Sequence, residues 1–311
     1  MGAAMNAGMT EMPIVDAHHH IWRQNDLAWL KGPMQPRIFG PYEPIRRDYP
    51  IEEYLADATP AGVEASVYCQ TNWPPMVGST MGELTEVKWV DVEAKRSGWP
   101  HAMTAYCNLL AEDAGDMLAA EAKASKLVRG IRMQLHWHEN PLYRFAPRPD
   151  LMNERLFREN LAKLQDRGWL FELQVFTSQM QDAAGLVREF PGIPFVLLHA
   201  GMLEDLTPGG RAAWKDGMRR LAELPNMYVK LSGLGTFIHR VEQAHIADVA
   251  LQTVEWFGAS RCVFGSNYPI EKLWSSYSEL VGAYRRALSP LSEPDRASIF
   301  SGTARRLYGL E

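Results

Sequence analysis

Ile14-Val15-Asp16-Ala17-His18-His19-His20-Ile21-Trp22 is the stretch whose reading decides the fold. It opens as an apolar strand and runs into three consecutive histidines. Side chains alternate along a strand, so residues two apart share a face. By that rule Asp16, His18 and His20 share one face and His19 takes the other. An open doubly wound sheet usually carries a Gly-rich phosphate loop after its first strand. Histidines stand there instead, which argues for a different α/β architecture.

Outward from this stretch, apolar runs recur at Ala65–Gln70, Ala102–Tyr106, Arg129–Leu135, Leu170–Val175, Phe195–His199, Met227–Leu231 and Arg261–Ser266. Together with Ile14–His20 they make eight expected strands. Helical patterns lie between them, at Glu83–Ser97, Met152–Arg167, Ser178–Glu189, Arg211–Leu224, His245–Phe257 and Ser276–Leu288, with Glu293–Leu307 closing the chain. Strands that alternate with helices pair in parallel, and eight parallel strands close a barrel. The expectation is therefore a (β/α)₈ TIM-type barrel in one domain, residues 13–311, behind a flexible N-terminal segment, residues 1–12. Two Pro- and Gly-rich stretches, Lys31–Pro50 and His136–Pro149, read as loops over the site rather than linkers.

Composition narrows the class. The chain has 311 residues, 46% hydrophobic and 22% charged, with a formal net charge of −5. A basic footprint for nucleic acid is missing, and so is any apolar stretch of roughly 20 residues that would span a membrane. Cys69, Cys107 and Cys262 are an odd set without a C-x-x-C, so buried thiols are expected rather than disulfides. The opening dozen residues lack the pattern of a signal peptide. These features read as a cytoplasmic enzyme that acts on small molecules and is free to form homo-oligomers.

Catalytic side chains of such barrels sit at the C-terminal strand ends. There the chain offers His18 and His20, Gln70, Arg132 and Gln134, Glu172 and Gln174, His199, Lys230 and Ser232, and Asn267. So many polar groups at buried strand ends are costly unless they serve one another or a ligand. Arg132 reads either as a clamp for a substrate carboxylate or as a partner of Glu172, and Lys230 reads as an interior ion-pair partner. Trp22, Trp73, Trp137 and Tyr268 are candidate pocket walls, and His136 and His138 candidate substrate contacts. His101, His239 and His245 look like ordinary loop or surface residues. His18, His20 and His199 suit one zinc-like divalent ion with an open position, or act without metal as donors to a carbonyl or carboxylate oxygen. A two-metal site is not expected, because the fourth strand offers Arg132 and Gln134 where a bridging acid is needed.

Six stretches then carry a resemblance: Val15 to Trp22, Gly130-Ile131-Arg132, Phe171-Glu172-Leu173-Gln174, His199-Ala200-Gly201, Lys230-Leu231-Ser232-Gly233-Leu234 and Phe264-Gly265-Ser266-Asn267-Tyr268-Pro269. Together they resemble the amidohydrolase-2 family, and within it the sugar-lactonase and 2-pyrone-4,6-dicarboxylate lactonase branch. The resemblance implies a distorted (β/α)₈ barrel that hydrolyses a lactone or related ester of a small carboxylated or sugar-derived substrate. It also implies one divalent metal at the His-x-His pair in some relatives and none in others. The family's usual Asp after the eighth strand, which deprotonates the attacking water, is Asn267 here, and the usual Trp beside it is Tyr268. A neutral amide positions water but takes no proton. The base then lies elsewhere, with His199 and Glu172 as candidates; or the chain is an inactivated form; or its reaction has changed. Three functions follow: a lactonase, a metal-dependent decarboxylase of the same superfamily, or a barrel that binds small molecules without turnover.

Overall fold

The computed structural model describes residues 12–73 and 81–310, side chains of 81–83 excepted. The expected N-terminal segment therefore lies, Met12 apart, outside the described residues. Eight strands form one sheet in sequence order. They are β1 (Ile14–His19), β2 (Val63–Cys69), β3 (Ala102–Ala105), β4 (Val128–Gln134), β5 (Leu170–Gln174), β6 (Phe195–Leu197), β7 (Met227–Leu231) and β8 (Cys262–Phe264). All seven neighbouring pairs are parallel. The segment after β8 closes the ring onto β1: Asn267 N donates to His18 O at 2.7 Å, and His20 N to Tyr268 O at 2.8 Å. This is the expected barrel.

Helices follow the strands at Ile51–Ala58, Met81–Ser97, Ala114–Ala124, Arg155–Ala162, Met180–Glu189, Pro208–Ala222, Gln243–Phe257 and Tyr277–Ala287. Thr207 and Ser276 cap two of them with side-chain oxygens, which fixes where those helices start. Two expected helices are broken. Extended Glu154 divides 152–167, and a left-handed Gly168 ends its last turn. The 293–307 stretch runs through one wide turn at Ser298–Gly302. Among the described residues, no helix is long and apolar enough to cross a membrane. All three cysteines are buried thiols, as expected, and none is joined in a disulfide.

The barrel interior is filled from below by Val15, Ala17, Ala65, Val67, Ala102, Leu170, Val196 and Val263, with Ala304 and Tyr308 packed into the same cluster. A larger apolar layer joins the sheet to the helices. One expectation about β1 fails. The strand carries one extra residue between Asp16 and His19, which pair with Ser66 and Tyr68 of β2. The alternation is therefore interrupted, as a bulge requires. Val15 and Ala17 face the interior, and His18 packs inside against Gly265, where an added Cβ would meet His18 Cβ at 2.6 Å. Asp16 is turned outward, away from the His18 face. Its carboxylate accepts from Tyr54, Tyr277 and Ser266 hydroxyls at 2.9, 2.9 and 2.6 Å. His19 lies in that same outer layer, 2.9 Å from Ser66 Oγ and stacked on Tyr54.

Candidate active site

A cavity of about 330 Å³ opens at the C-terminal mouth of the barrel. Its floor comes from strand ends: His20 after β1, Gln70 after β2, Arg132 and Gln134 on β4, Gln174 on β5, His199 after β6 and Asn267 after β8. Trp22 and His136 line it as well. His18 lies just beneath, its ring centroid 5.1 Å from that of His20 and 4.9 Å from that of His199. His199 and Asn267 both hold left-handed backbone, at φ 53° and 57°. Asn tolerates that region and histidine does so at a cost, the kind of strain that gathers at functional sites.

Hydrogen bonds fix the orientations. His20 Nδ1 lies 2.8 Å from Cys69 O, and a carbonyl only accepts. His20 is therefore protonated at Nδ1, leaving a lone pair on Nε2. His199 Nδ1 engages Ser232 Oγ at 3.0 Å, which leaves Nε2 for the cavity. Arg132 donates through Nη1 to Gln70 O at 3.0 Å and through Nη2 to Gln174 Oε1 at 2.8 Å. Its Nε is buried without a partner.

Burial holds His18 and His199 well below the ordinary imidazole value, and His20 and His136 down to about 3. Arg132 is the next cause for His20, His136 and His199, and Lys230 for His18. The floor is thus a set of neutral imidazoles beside a guanidinium.

Five expected wall or contact residues are placed elsewhere. Glu172 does not line the cavity. It is wholly buried beneath the floor, 2.5 Å from Lys230 Nζ and 3.0 Å from Tyr308 Oη, so it is an ion-pair partner and no substrate contact. The Arg132 hydrogen bonds go to Gln70 and Gln174, and the Glu172 charge reaches that guanidinium only at longer range. Tyr268 is fully buried behind the wall; its hydroxyl donates to Ser275 O at 2.6 Å and its ring meets Tyr277. Trp73 packs on Trp89 outside the cavity lining. Trp137 and His138 also lie off the lining, His138 being 3.6 Å from Glu204.

The residues present do not fit a divalent ion well. Lys230 Nζ lies 3.5 Å from His18 Nδ1. An ammonium cannot accept a proton, so His18 is protonated at Nε2, the nitrogen a metal at the mouth would need. That Nε2 is buried with no partner, a spare donor. A second cluster of metal-ligand type, His18, Cys69 and Glu172, is filled by the same ammonium, 2.5 Å from Glu172 and 3.5 Å from Cys69. Among the described residues no carboxylate lines the floor beside the imidazoles, and Arg132 adds positive charge.

Glu271 was not anticipated. It lies in the irregular segment after β8, where no periodicity marks it. It is buried, and burial pushes its carboxyl up to about 8. Trp274 Nε1 donates to it at 2.7 Å, and the Asn267 side chain hydrogen-bonds to it. Oε1 has no hydrogen-bond partner within bonding distance. Its backbone N accepts the role of fixing the turn by donating to Asn267 O at 3.2 Å. The loops 31–50 and 136–149 do line the cavity as expected, but which of their side chains reach it was not legible, and neither were Trp29 and Phe237.

The chain is 30% identical over 302 residues to the uncharacterized protein y4mH of Sinorhizobium fredii, covering 96% of this chain and 99% of that one. It is 28% identical to an L-fucono-1,5-lactonase of Burkholderia multivorans, covering 95% and 96%. Among solved structures, an amidohydrolase from Burkholderia multivorans with bound HEPES matches at a TM-score of 0.79 and 25% identity, covering 96% of this chain and 100% of that one. A second crystal form of that protein, with bound zinc, matches at 0.79 and 24%. The model of the amidohydrolase family matches residues 15–310, so the chain belongs to the amidohydrolase family.

Proposed function

We propose that this chain hydrolyses a lactone or related cyclic ester, and that its own side chains perform the reaction without a divalent ion. The observation that carries the reading is the cavity floor, where neutral imidazoles, one guanidinium and Asn267 converge at the strand ends. The likeness to a protein named as a lactonase supports the same class.

In this mechanism Asn267 holds a water by hydrogen bonding. His199 Nε2 takes its proton as the oxygen attacks the carbonyl carbon. The low basicity of a buried imidazole is offset when the developing negative charge lies beside it. Arg132, which lines the cavity, faces that oxyanion as a donor, and the neutral His18 ring supports the floor beneath His20 and His199. Collapse breaks the ring C–O bond, and the alkoxide recovers the proton from His199. The product is a hydroxy acid, whose new carboxylate faces Arg132. Gln70, Gln134, Gln174 and His136 hold substrate polar groups, and Trp22 covers one face.

The test is a panel of γ- and δ-lactones followed by proton release, with product mass raised by one water. At least one lactone is expected to be turned over. Release of carbon dioxide from a carboxylated substrate, with every lactone untouched, would overturn the reading.

A further inference from the structure

The cavity has two chemically different halves. The floor is polar and buried. The rim is mostly apolar and half exposed: Trp29 and Phe39 stand on one side, Leu142, Tyr143 and Phe145 come from the loop after β4, and Phe237 follows β7, with Arg37 laid over the Trp29 ring and Arg144 over Trp137 among them. The rings contact one another, Tyr143 with Phe237 at 5.5 Å and Trp29 with Phe39 at 6.2 Å between centroids. Leu142 and Phe145 are 41% and 43% exposed, two of only five large apolar side chains so exposed among the described residues. Uncovered apolar surface gathered around a cavity marks a place where a ligand is covered.

A polyol does not suit such a rim. Most of its hydroxyls would lose water against rings and aliphatic chains, which return few hydrogen bonds beyond those of Arg37, Tyr143 and Arg144. A flat apolar ring gains both burial and aromatic contact there. We infer that the substrate carries an aryl or similarly planar apolar group beyond its reacting ring, seated between the Leu142–Phe145 loop and the Phe39 and Phe237 rings. This rests on the lactonase reading for the reacting end only; the rim binds the apolar group whatever the chemistry on the floor.

Three probes separate the alternatives: δ-phenyl-δ-valerolactone, bare δ-valerolactone and glucono-1,5-lactone. The first opens to a secondary benzylic alkoxide and the second to a primary one, so their kcat/KM ratio is divided by the same ratio for hydroxide hydrolysis, and the quotient reports recognition of the phenyl group. That quotient is expected to exceed about tenfold, the scale on which an apolar pocket discriminates. Phe237→Ala, and independently Phe145→Ser at an exposed position, are expected to lower the ratio severalfold. A ratio is insensitive to the fraction of variant that folds. Glucono-1,5-lactone turned over best, with the quotient near one and unchanged in both variants, overturns the inference and leaves the lactonase reading standing. If no lactone reacts, the lactonase reading fails, and calorimetry with 5-phenylvalerate against gluconate decides the inference alone. Binding of the phenyl acid that weakens in Phe237→Ala supports it; equal or preferred binding of gluconate sinks it.

Discussion

Lys230 Nζ lies 2.5 Å from Glu172 Oε1, and neither side chain touches solvent. The pair sits under the floor, with Tyr308 donating to the same carboxylate and its ring 5.4 Å from the ammonium. It supplies the charge that helps keep His18 neutral. Removing one partner leaves a buried charge uncompensated, which costs about 3–5 kcal/mol. Glu172→Gln and Lys230→Met should each lose about that in urea unfolding, and the double variant Glu172→Leu with Lys230→Met should recover most of it. A single variant as stable as wild type would remove the pair from this role.

His199→Ala should lower kcat on a hydrolysed lactone by about 10²–10⁴-fold, the usual worth of positioned proton transfer. KM should change far less, because the other floor groups remain. Steady-state kinetics at one pH check this. A drop confined to KM would make His199 a binding residue.

Asn267→Asp should not create a better enzyme. It places a second carboxyl against Glu271, and two adjoining carboxylates cannot both ionise easily. Activity and stability should both fall. Glu271→Gln added to Asn267→Asp should restore stability. Turnover rising about 10²-fold in the single variant would instead mean that position 267 lacks only its base.

Glu271 also predicts a pH trend. Its folded value of about 8 stands above the ordinary 4.5, so the folded state holds a proton that the unfolded chain has released between those values. Stability contributed at this position therefore declines as pH rises from about 5 to about 8. Glu271→Gln should remove that decline. Thermal unfolding of both proteins across this range should give diverging curves, the wild type falling relative to the variant.

Zinc should bind weakly. Chelator-treated protein should regain less than one tightly held ion per chain on dialysis and elemental analysis, and its unfolding temperature should respond little to added zinc. Lys230→Met frees His18 to change its protonated nitrogen, so zinc should stabilise that variant more than wild type. One tightly held ion in the wild type would show that the ammonium does not control His18.

The barrel and its seam of strand ends were legible because apolar runs and polar strand ends are local signals. Depth was not. Glu172 and Gln174 are two apart on β5 and share a face, yet one lies under the floor and the other on it. Alternation gives a side, and distance along the strand decides whether the residue meets neighbours or solvent. Asp16 failed for another reason, since an extra residue in β1 leaves no trace in composition. Glu271 and Phe237 lie where the chain is irregular, and only packing brings them to the site.

The bulge in β1 has a bearing on how this strand tolerates change in length. Loss of one residue normally turns every later side chain of a strand to the opposite surface. Here Ala17 and His18 point the same way, so a chain lacking Ala17 would read Val15 in, Asp16 out, His18 in, His19 out and His20 in. Each histidine would keep its side with a plain two-residue rhythm. The triplet is thus partitioned between two layers, and a shortened first strand in a related chain is compatible with the same arrangement of rings.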